Sequence, residues 1–156
     1  MTPASRGRYP AMSLAAIRVG DVMHRGVVTC RSEASLGTVA RLLAAHRIHA
    51  VVVLPRDDAD EWGIVSDLDL VAALSRGPPT ATAAEIASVP SVYVTPDDTL
   101  AGVLQVMSER SSHHVIVLGR SSRRPVGVVS TLDVADAVAE LPWPDSSDAW
   151  FNPSGD

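Results

Sequence analysis

Two short polar patterns in the chain combine a serine with an aspartate three positions later. Ser66 and Asp69 stand in the sequence GIVSDLDL, and Ser130 and Asp133 stand in GVVSTLDV in the second half of the chain. In both copies an apolar run of strand length ends at the serine and a helical run begins, which places both side chains at a helix N-terminus. Such an N-terminus offers unpaired N–H groups to an anion, and a carboxylate accepts hydrogen bonds from vicinal hydroxyls such as those of ribose.

The same spacing also has a purely structural interpretation. A serine followed three positions later by an acidic residue forms a capping box at the start of a helix. An acid in the first turn is further stabilised by the helix dipole, by about 0.3–1 kcal/mol. Capping alone does not explain the glycines, Gly63 and Gly127, that precede both patterns at the same distance. Both interpretations stay open at this point.

Both patterns belong to an internal repeat that covers most of the chain. The shift that places Ser66 on Ser130 aligns the two halves without a gap, and regular self-similarity of this kind indicates two copies of one structural unit. The first-copy residues whose type recurs in the second copy are Val28, Leu36, Val39, His49, Val51, Val53, Leu54, Gly63, Val65, Ser66, Leu68 and Asp69.

Each copy predicts a strand, a helix, two strands and a closing helix. In the first copy the β-branched segment 27–30 is a short strand, and Ser32 is the candidate cap of the following helix. The continuous apolar run of residues 49–54 predicts a strand that is covered on both faces. The predicted fold class is therefore α/β (α+β), built from two β-α-β-β-α units.

The predicted organisation has five segments. Residues 1–16 are a flexible N-terminal tail, 17–76 the first unit, 77–82 a linker, 83–141 the second unit and 142–156 a C-terminal tail. A unit of roughly 60 residues buries too little surface to be secure alone. We therefore expect the units to pair through their sheets with pseudo-twofold symmetry.

Composition excludes several classes of function. The 156 residues carry a net charge of −5, which argues against a nucleic-acid surface. An apolar run of the roughly 20 residues that a membrane span needs is missing from the sequence. The single cysteine, Cys30, forms no intrachain disulfide, and a cytoplasmic location is the simplest expectation. Motifs of a nucleophile elbow, a phosphate loop or a zinc protease are also missing, so we expect no enzyme.

The doubled GhVSxxDh pattern (h for apolar), with VGDVMHRGVVTC before it, resembles the cystathionine-β-synthase (CBS) domain. Two such domains in tandem form a Bateman module. The resemblance covers about residues 17–141 and implies β-α-β-β-α units paired through their sheets. It further implies a regulatory sensor of AMP, ADP, ATP or S-adenosylmethionine rather than a catalyst.

By that resemblance, three groups of residues form the nucleotide sites. The ribose hydroxyls would bind Asp69 and Asp133, with Ser66 and Ser130 near the phosphates. The residues that would flank adenine are Val28, Cys30, Val92 and Val94. The residues that would line the cleft between the copies are His49, Ala50, His113 and His114.

Expectations about partners follow from the remaining residues. The closing helices carry more apolar residues than a two-unit core uses, which predicts a homodimer. A partner effector protein would read the signal in trans. A metal site at His113 and His114 is not expected, because neighbouring strand residues point to opposite faces. The alternative function is a nucleotide-independent interaction or stress-related dimeric module whose cleft is filled by its own side chains.

Overall fold

The computed structural model describes residues 11–56, 61–76, 80–88 and 93–141, with side chains from residue 14 onward. The helices are α1 (Ala11–Ala16), α2 (Val19–Val22), α3 (Leu36–His46), α4 (Asp67–Ser75), α5 (Ala83–Ile86), α6 (Leu100–Arg110) and α7 (Thr131–Ala139). The strands are β1 (His24–Arg25), β2 (Thr29–Cys30), β3 (Ala50–Val53), β4 (Gly63–Ser66), β5 (His114–Leu118) and β6 (Pro125–Ser130).

The strands form two sheets of three. In the first sheet β2 runs parallel to β3, and β3 pairs antiparallel with β4, in the order β2-β3-β4. In the second sheet β6 lies between β1 and β5 and is antiparallel to both. Val94, the counterpart of Cys30, forms one parallel bridge with Val117 of β5. The two sheets are therefore built alike, as the repeat predicts.

Strand β3 is buried on both faces, which accounts for its unbroken run of valines. Val51 and Val53 pack with Val39 and Leu43 of α3 in the core of the first unit. The intervening Val52 points to the opposite face, because successive strand residues alternate. The prediction of a strand covered on both sides is confirmed.

The opposite faces of the two sheets pack on each other. Val52 and Ile64 from the first sheet form one buried cluster with Ile116 from the second. Half-buried Trp62, Tyr93 and Val128 pack around this cluster. The expected pairing of the units through their sheets is thereby confirmed.

Each unit is completed by the segment that precedes the other unit. We call residues 11–25 and 80–88 the leading segments, since each stands before the first strand of its copy. Val19 of α2 is fully buried in the core of the second unit, with Val94, Val103 and Met107. Ala83 of α5 is fully buried in the core of the first unit. The copies have thus exchanged their leading segments.

Backbone hydrogen bonds hold this exchange in the same way on both sides. Val19 donates to the carbonyl of Asp98, and Ala83 donates to the carbonyl of Ala34, each at 2.8 Å. Strand β1 pairs with β6 of the second unit. Its counterpart Ser88 forms a bridge with Ile64 of the first unit. The contacts that hold one leading segment therefore recur at equivalent positions of the other.

The repeated glycines make room for the leading segments. A Cβ on Gly127 would collide with the carbonyl oxygen of His24 and lie 3.0 Å from the Met23 sulfur. A Cβ on Gly63 would lie 3.1 Å from the Cβ of Ala87. Close backbone approach is the reason why both copies carry glycine there.

Three local features differ from the sequence-based expectations. The cap of α3 is Ser35, whose hydroxyl accepts from the Thr38 N–H at 3.1 Å, whereas Ser32 donates to the Leu54 carbonyl at 2.6 Å. The first strand of the first copy is shorter than expected, because β2 begins at Thr29, and in the second copy the described residues 93–94 contribute the Val94 bridge. The expected flexible tail extends to residue 16, whereas residues 11–16 form helix α1 beside α6.

Replacing Gly127 with alanine should destabilise the protein by about 1–3 kcal/mol, because the new methyl group collides with backbone rather than with a flexible side chain. The matched control is Gly37→Ala, since a Cβ on this helical glycine meets only side-chain atoms, at 3.7 Å or more. The control should be neutral or more stable by up to about 1 kcal/mol. Urea unfolding of both variants measures this, and equal stabilities would contradict the close approach.

Candidate ligand-binding cleft

The two Ser-x-x-Asp patterns form capping boxes. Asp69 Oδ2 accepts hydrogen bonds from the Ser66 N–H at 2.8 Å and from the Ser66 hydroxyl at 2.9 Å. Asp133 Oδ2 accepts the same bonds from Ser130, at 2.7 and 2.9 Å. The structural interpretation of the pattern therefore holds in both copies, and in each it engages one carboxylate oxygen.

The second oxygen of Asp133 has a partner from the leading segment. His24 Nδ1 lies 2.7 Å from Asp133 Oδ1, and it donates a hydrogen bond because an ionised carboxylate only accepts. The Asp133 side chain is 5% exposed, whereas the His24 ring is 78% exposed. A buried carboxylate is thus covered by a side chain that itself faces solvent.

A cavity of about 500 Å³ opens beside this pair. Three parts of the fold form it: the leading segment around β1, the junction between α3 and β3, and the start of α7. Its apolar lining includes Val27, Val28, Ala50, Val52 and Val128. Its polar and charged lining comprises His24, Arg25, His46, Arg47, His49, His114, Ser130 and Asp133. We call this cavity the Asp133 cleft.

A second cavity of about 320 Å³ lies between the N-termini of α4 and α7. It shares His49, His114, Ser130 and Leu132 with the Asp133 cleft. His49 Nδ1 lies 2.7 Å from Asp67 Oδ2 at its rim. The hydrogen bond from His49 lowers the pKa of the Asp67 carboxyl below its ordinary value. We call this the central cavity, because it contains the equivalent ends of both units.

Burial changes the acidity of one imidazole between these cavities. Loss of solvent lowers the pKa of His114 below its ordinary value, and the nearby His113 and His49 act in the same direction. The carboxylates of Asp67 and Asp133 oppose the shift but are smaller influences. His114 is therefore held in its neutral form at pH 7.

Most of the residues expected at the site lie around these two cavities. Those in the Asp133 cleft are Val28, His49, Ala50, His114, Ser130 and Asp133. Ser66 and His113 line the central cavity. Asp69 lies in the equivalent position of the first unit, where part of the surrounding chain, residues 89–92, is outside the described residues. Val92 falls in that gap.

Two expected adenine neighbours lie elsewhere. Cys30 is buried in the core under α3, with Val39 and Val53, and burial raises the pKa of its thiol. Val94 is buried in the equivalent core of the second unit. Neither lines the Asp133 cleft, because their strands turn these side chains toward the helices. By the repeat, Val94 belongs to the surroundings of Asp69 rather than to the Asp133 cleft, and the contact of either side chain with adenine stays a prediction from the resemblance.

Sequence reasoning missed four basic residues of the Asp133 cleft: His24, Arg25, His46 and Arg47. They are not shared by the two copies, so a comparison based on repeated positions passes over them. The same alignment of the two copies could have identified these basic residues at the positions where the copies differ. The basic loop residue Arg120, in contrast, pairs with Asp97 outside this cleft.

The described ranges offer neither a metal site nor a membrane span. Within 11–56, 61–76, 80–88 and 93–141, His, Cys, Asp and Glu side chains do not form any group of three or more suited to a metal ion. In the same ranges, none of the helices has the length and apolar character to cross a membrane.

Comparison with known proteins decides the family. The family model described as "CBS domain" matches residues 19–76 and 83–140. This chain belongs to the CBS domain family. The resemblance noted in the sequence is thereby confirmed, and so are the tandem β-α-β-β-α units. CBS domain pairs are generally regulatory, non-catalytic modules.

A curated relative of this CBS protein is Hypoxic response protein 1 of Mycobacterium tuberculosis. It is 32% identical over 123 residues, which cover 77% of this chain and 84% of the relative. A solved structure of Hypoxic Response Protein I, with two coordinated zinc ions, has a TM-score of 0.62 and 29% identity over 80% of this chain and 99% of that chain.

Two further CBS structures contain adenosine compounds. The CBS domain protein PAE2072 from Pyrobaculum aerophilum, complexed with AMP, has a TM-score of 0.67 and 26% identity, covering 80% of this chain and 100% of that chain. The CBS domain pair of protein MJ0100, in complex with 5′-methylthioadenosine and S-adenosyl-L-methionine, has a TM-score of 0.67 and 25% identity. It covers 77% of this chain and 98% of that chain.

The half-buried His114 predicts a loss of stability in mild acid. Because burial lowers its folded-state pKa, the unfolded chain takes up a proton at a higher pH than the folded protein. Above about pH 6.5 protonation of His114 therefore does not reduce the free energy of unfolding, and this free energy falls as the pH drops below that value. The lowered pKa of Asp67 acts in the same direction but only below about pH 4.

His114→Gln should consequently show a shallower decline of melting temperature between pH 7 and pH 5 than the wild type. The control is His46→Gln, which removes an exposed imidazole that is not among the groups acting on the pKa of His114. This control should retain the wild-type decline. Differential scanning calorimetry across the pH series measures both, and identical profiles for His114→Gln and wild type would refute the assignment.

Proposed function

We propose that this CBS pair is a regulatory module that binds an adenosine-containing ligand at its clefts. The observation that carries the proposal is Asp133, a buried carboxylate at a helix N-terminus inside a cleft of about 500 Å³. A cavity of this size is within the range of small-molecule sites. The equivalent Asp69 gives the first unit the same central group.

The lining matches the three parts of a nucleotide. Val28, Ala50 and Val52 supply an apolar surface for a base. Asp133 Oδ1 is directed away from the capping box and accepts ribose hydroxyls when His24 moves aside. The N-terminus of α7 at Ser130 places the positive end of the helix dipole beside the cleft, which favours an anion there. One cleft therefore provides an apolar wall, a hydroxyl acceptor and an anion site.

The relatives support adenosine as the ligand class. PAE2072 is complexed with AMP, and the MJ0100 pair with 5′-methylthioadenosine and S-adenosyl-L-methionine. We accordingly propose AMP, ADP, ATP or S-adenosylmethionine as ligands here, acting as signals rather than as cofactors of catalysis. The module itself is proposed to be non-catalytic and cytoplasmic.

A second candidate function is a nucleotide-independent interaction module. The observation in its favour is that each carboxylate is already used without a ligand, since Asp69 and Asp133 complete capping boxes and His24 covers the second oxygen of Asp133. In that case the cleft would be closed by its own side chains. A ligand screen separates the two functions.

Asp133→Asn should lower the affinity of the second cleft for AMP by about ten- to a hundredfold, because a neutral amide replaces the ionised acceptor of the ribose bonds. The matched control is Asp136→Asn, which removes an exposed carboxylate from the same helix and should bind as the wild type does. Isothermal titration calorimetry measures the affinities. Stabilisation of the wild type by about 2.7 kcal/mol at a hundred times the dissociation constant is expected in parallel.

Two results would contradict the proposal in different ways. Equal AMP affinity in wild type and Asp133→Asn would exclude the carboxylate as the ribose acceptor. Failure of AMP, ADP, ATP and S-adenosylmethionine to bind the wild type would favour the interaction module instead.

The output of the module is proposed to pass through a homodimer to an effector protein in trans. Apolar side chains of the closing helices face solvent: Leu68 (63% exposed), Val71 (60%), Leu74 (48%) and Leu132 (59%). Residues of this size at such exposure indicate an association surface. Because α4 and α7 are equivalent elements, a second copy can present the same apolar residues in return.

Val71→Glu should shift the protein from dimer to monomer, because it places a charge in the proposed interface. Val71 lines neither the Asp133 cleft nor the central cavity, so AMP binding within each protomer reports that the fold is intact. Ser121→Glu adds the same charge on an exposed turn and is the control. Light scattering gives the masses, and a monomeric wild type at tens of micromolar would overturn the dimer.

A further inference from the structure

The repeat relates the Asp133 cleft to the equivalent positions around Asp69, which we call the Asp69 cleft, and the two differ in their basic residues. The Asp133 cleft is lined by the histidines and arginines His24, Arg25, His46, Arg47, His49 and His114, of which His114 is neutral at pH 7. The residues at the equivalent positions of the other copy are, in the same order, Ser88, Val89, Arg110, Ser111, His113 and Ala50. The positions around Asp69 also include His114, the counterpart of Ala50, so two arginines and four histidines at the Asp133 cleft compare with one arginine and two histidines around Asp69.

Arg47 and Ser111 are the clearest matched pair. Arg47 caps the C-terminus of α3, and Ser111 caps the C-terminus of the equivalent helix α6. Both residues have a left-handed backbone, with φ of 51° and 50°. Because the backbone is the same, only the side chain distinguishes these positions. Arg47 stands in the Asp133 cleft with a guanidinium that is exposed and always charged.

The inner end of the Asp133 cleft is also suited to an anion. There the cleft shares Ser130, His49 and His114 with the central cavity, at the N-terminus of α7. An anionic chain at this end would face the positive end of the α7 dipole and two imidazoles. The basic residues of the leading segment, His24 and Arg25, lie on another side of the same cleft.

The contact between His24 and Asp133 adds a requirement for the ligand. A ribose that binds Asp133 Oδ1 must displace His24, which then loses its carboxylate partner. A phosphate on the ligand gives the displaced imidazole a new anionic partner, whereas an unphosphorylated nucleoside does not. Position 88 is serine, so the equivalent requirement does not arise at Asp69.

We propose that the Asp133 cleft selects nucleosides that carry an anionic phosphate chain, with His24, Arg25 and Arg47 as the specificity-determining residues, whereas the Asp69 cleft lacks this selectivity. This inference rests on the proposed function, since it assumes that adenosine compounds bind at both clefts. It assigns different ligand classes to two sites that share their central motif.

The test compares ATP with adenosine in calorimetric titrations of the full chain. Asp69→Asn weakens the Asp69 cleft, so that the tighter binding reports the Asp133 cleft, and Asp133→Asn does the reverse. We expect the Asp133 cleft to bind ATP at least tenfold more tightly than adenosine and the Asp69 cleft to bind the two within a few-fold. A ratio that is equal at both clefts, or larger at the Asp69 cleft, overturns the inference.

Exchanges at the matched positions test the residues themselves. In the Asp69→Asn protein, Arg47→Ser should reduce ATP affinity by about tenfold or more, because it removes a charge-assisted partner, and change adenosine affinity much less. In the Asp133→Asn protein, Ser111→Arg should raise ATP affinity. Arg41→Ser, which removes an exposed arginine of α3 that lines neither cavity, is the control for net charge. Equal effects of Arg47→Ser and Arg41→Ser would overturn the assignment.

The outcomes also distinguish this inference from the proposed function. Binding of adenosine compounds without any preference for phosphate at the Asp133 cleft would leave the proposed function standing and overturn the selectivity. Absence of binding by both ATP and adenosine to the wild type would overturn both.

Discussion

The exchange of leading segments is the constraint on which the rest of this structure depends. A unit of this size buries too little apolar surface to be stable alone, and each core here includes a fully buried residue from the other copy, Val19 or Ala83. The exchange requires glycine where β1 and its counterpart Ser88 approach β6 and β4. It also brings His24 to Asp133, although these two residues lie near opposite ends of the described chain. The cleft therefore exists because the segments are exchanged.

The Ser-x-x-Asp motif shows how one group serves both the fold and the proposed site. One oxygen of Asp133 completes the capping box of α7, which holds the carboxylate in place at a helix N-terminus. The other oxygen is directed to His24 and the cleft. Capping and ligand binding are consequently compatible functions of a single side chain. The structural role accounts for the rigidity of the carboxylate, and a ligand would use the oxygen that capping leaves available.

Periodicity and repetition predicted the tandem units, the doubly covered strand β3 and most of the residues around the cavities. These features depend on contacts within one unit, where apolar spacing is informative. The exchange was not predictable in this way, because a hydrogen bond between distant segments, such as that from Val19 to Asp98, leaves no periodic signal. The sequence predicted Ser32 as the cap of α3, whereas the cap is Ser35. Two serines stand near the helix start, and the distant carbonyl of Leu54, to which Ser32 donates, leaves no local signal that separates them. The basic residues of the Asp133 cleft were missed because attention to repeated positions discards the positions that differ.

The exchanged leading segments also mean that the linker is a minor part of the connection between the halves. The N–H groups of Val19, Gly20, Ala83 and Ala84 all donate to carbonyls of the opposite unit, and the sheets share a buried interface. A proteolytic cut within residues 77–82 would therefore leave two fragments that each contain a structural element of the other's core. Such fragments have the topology of a complementing pair, comparable to a split protein. The two units thus resemble the subunits of a segment-exchanged dimer that are joined in one chain.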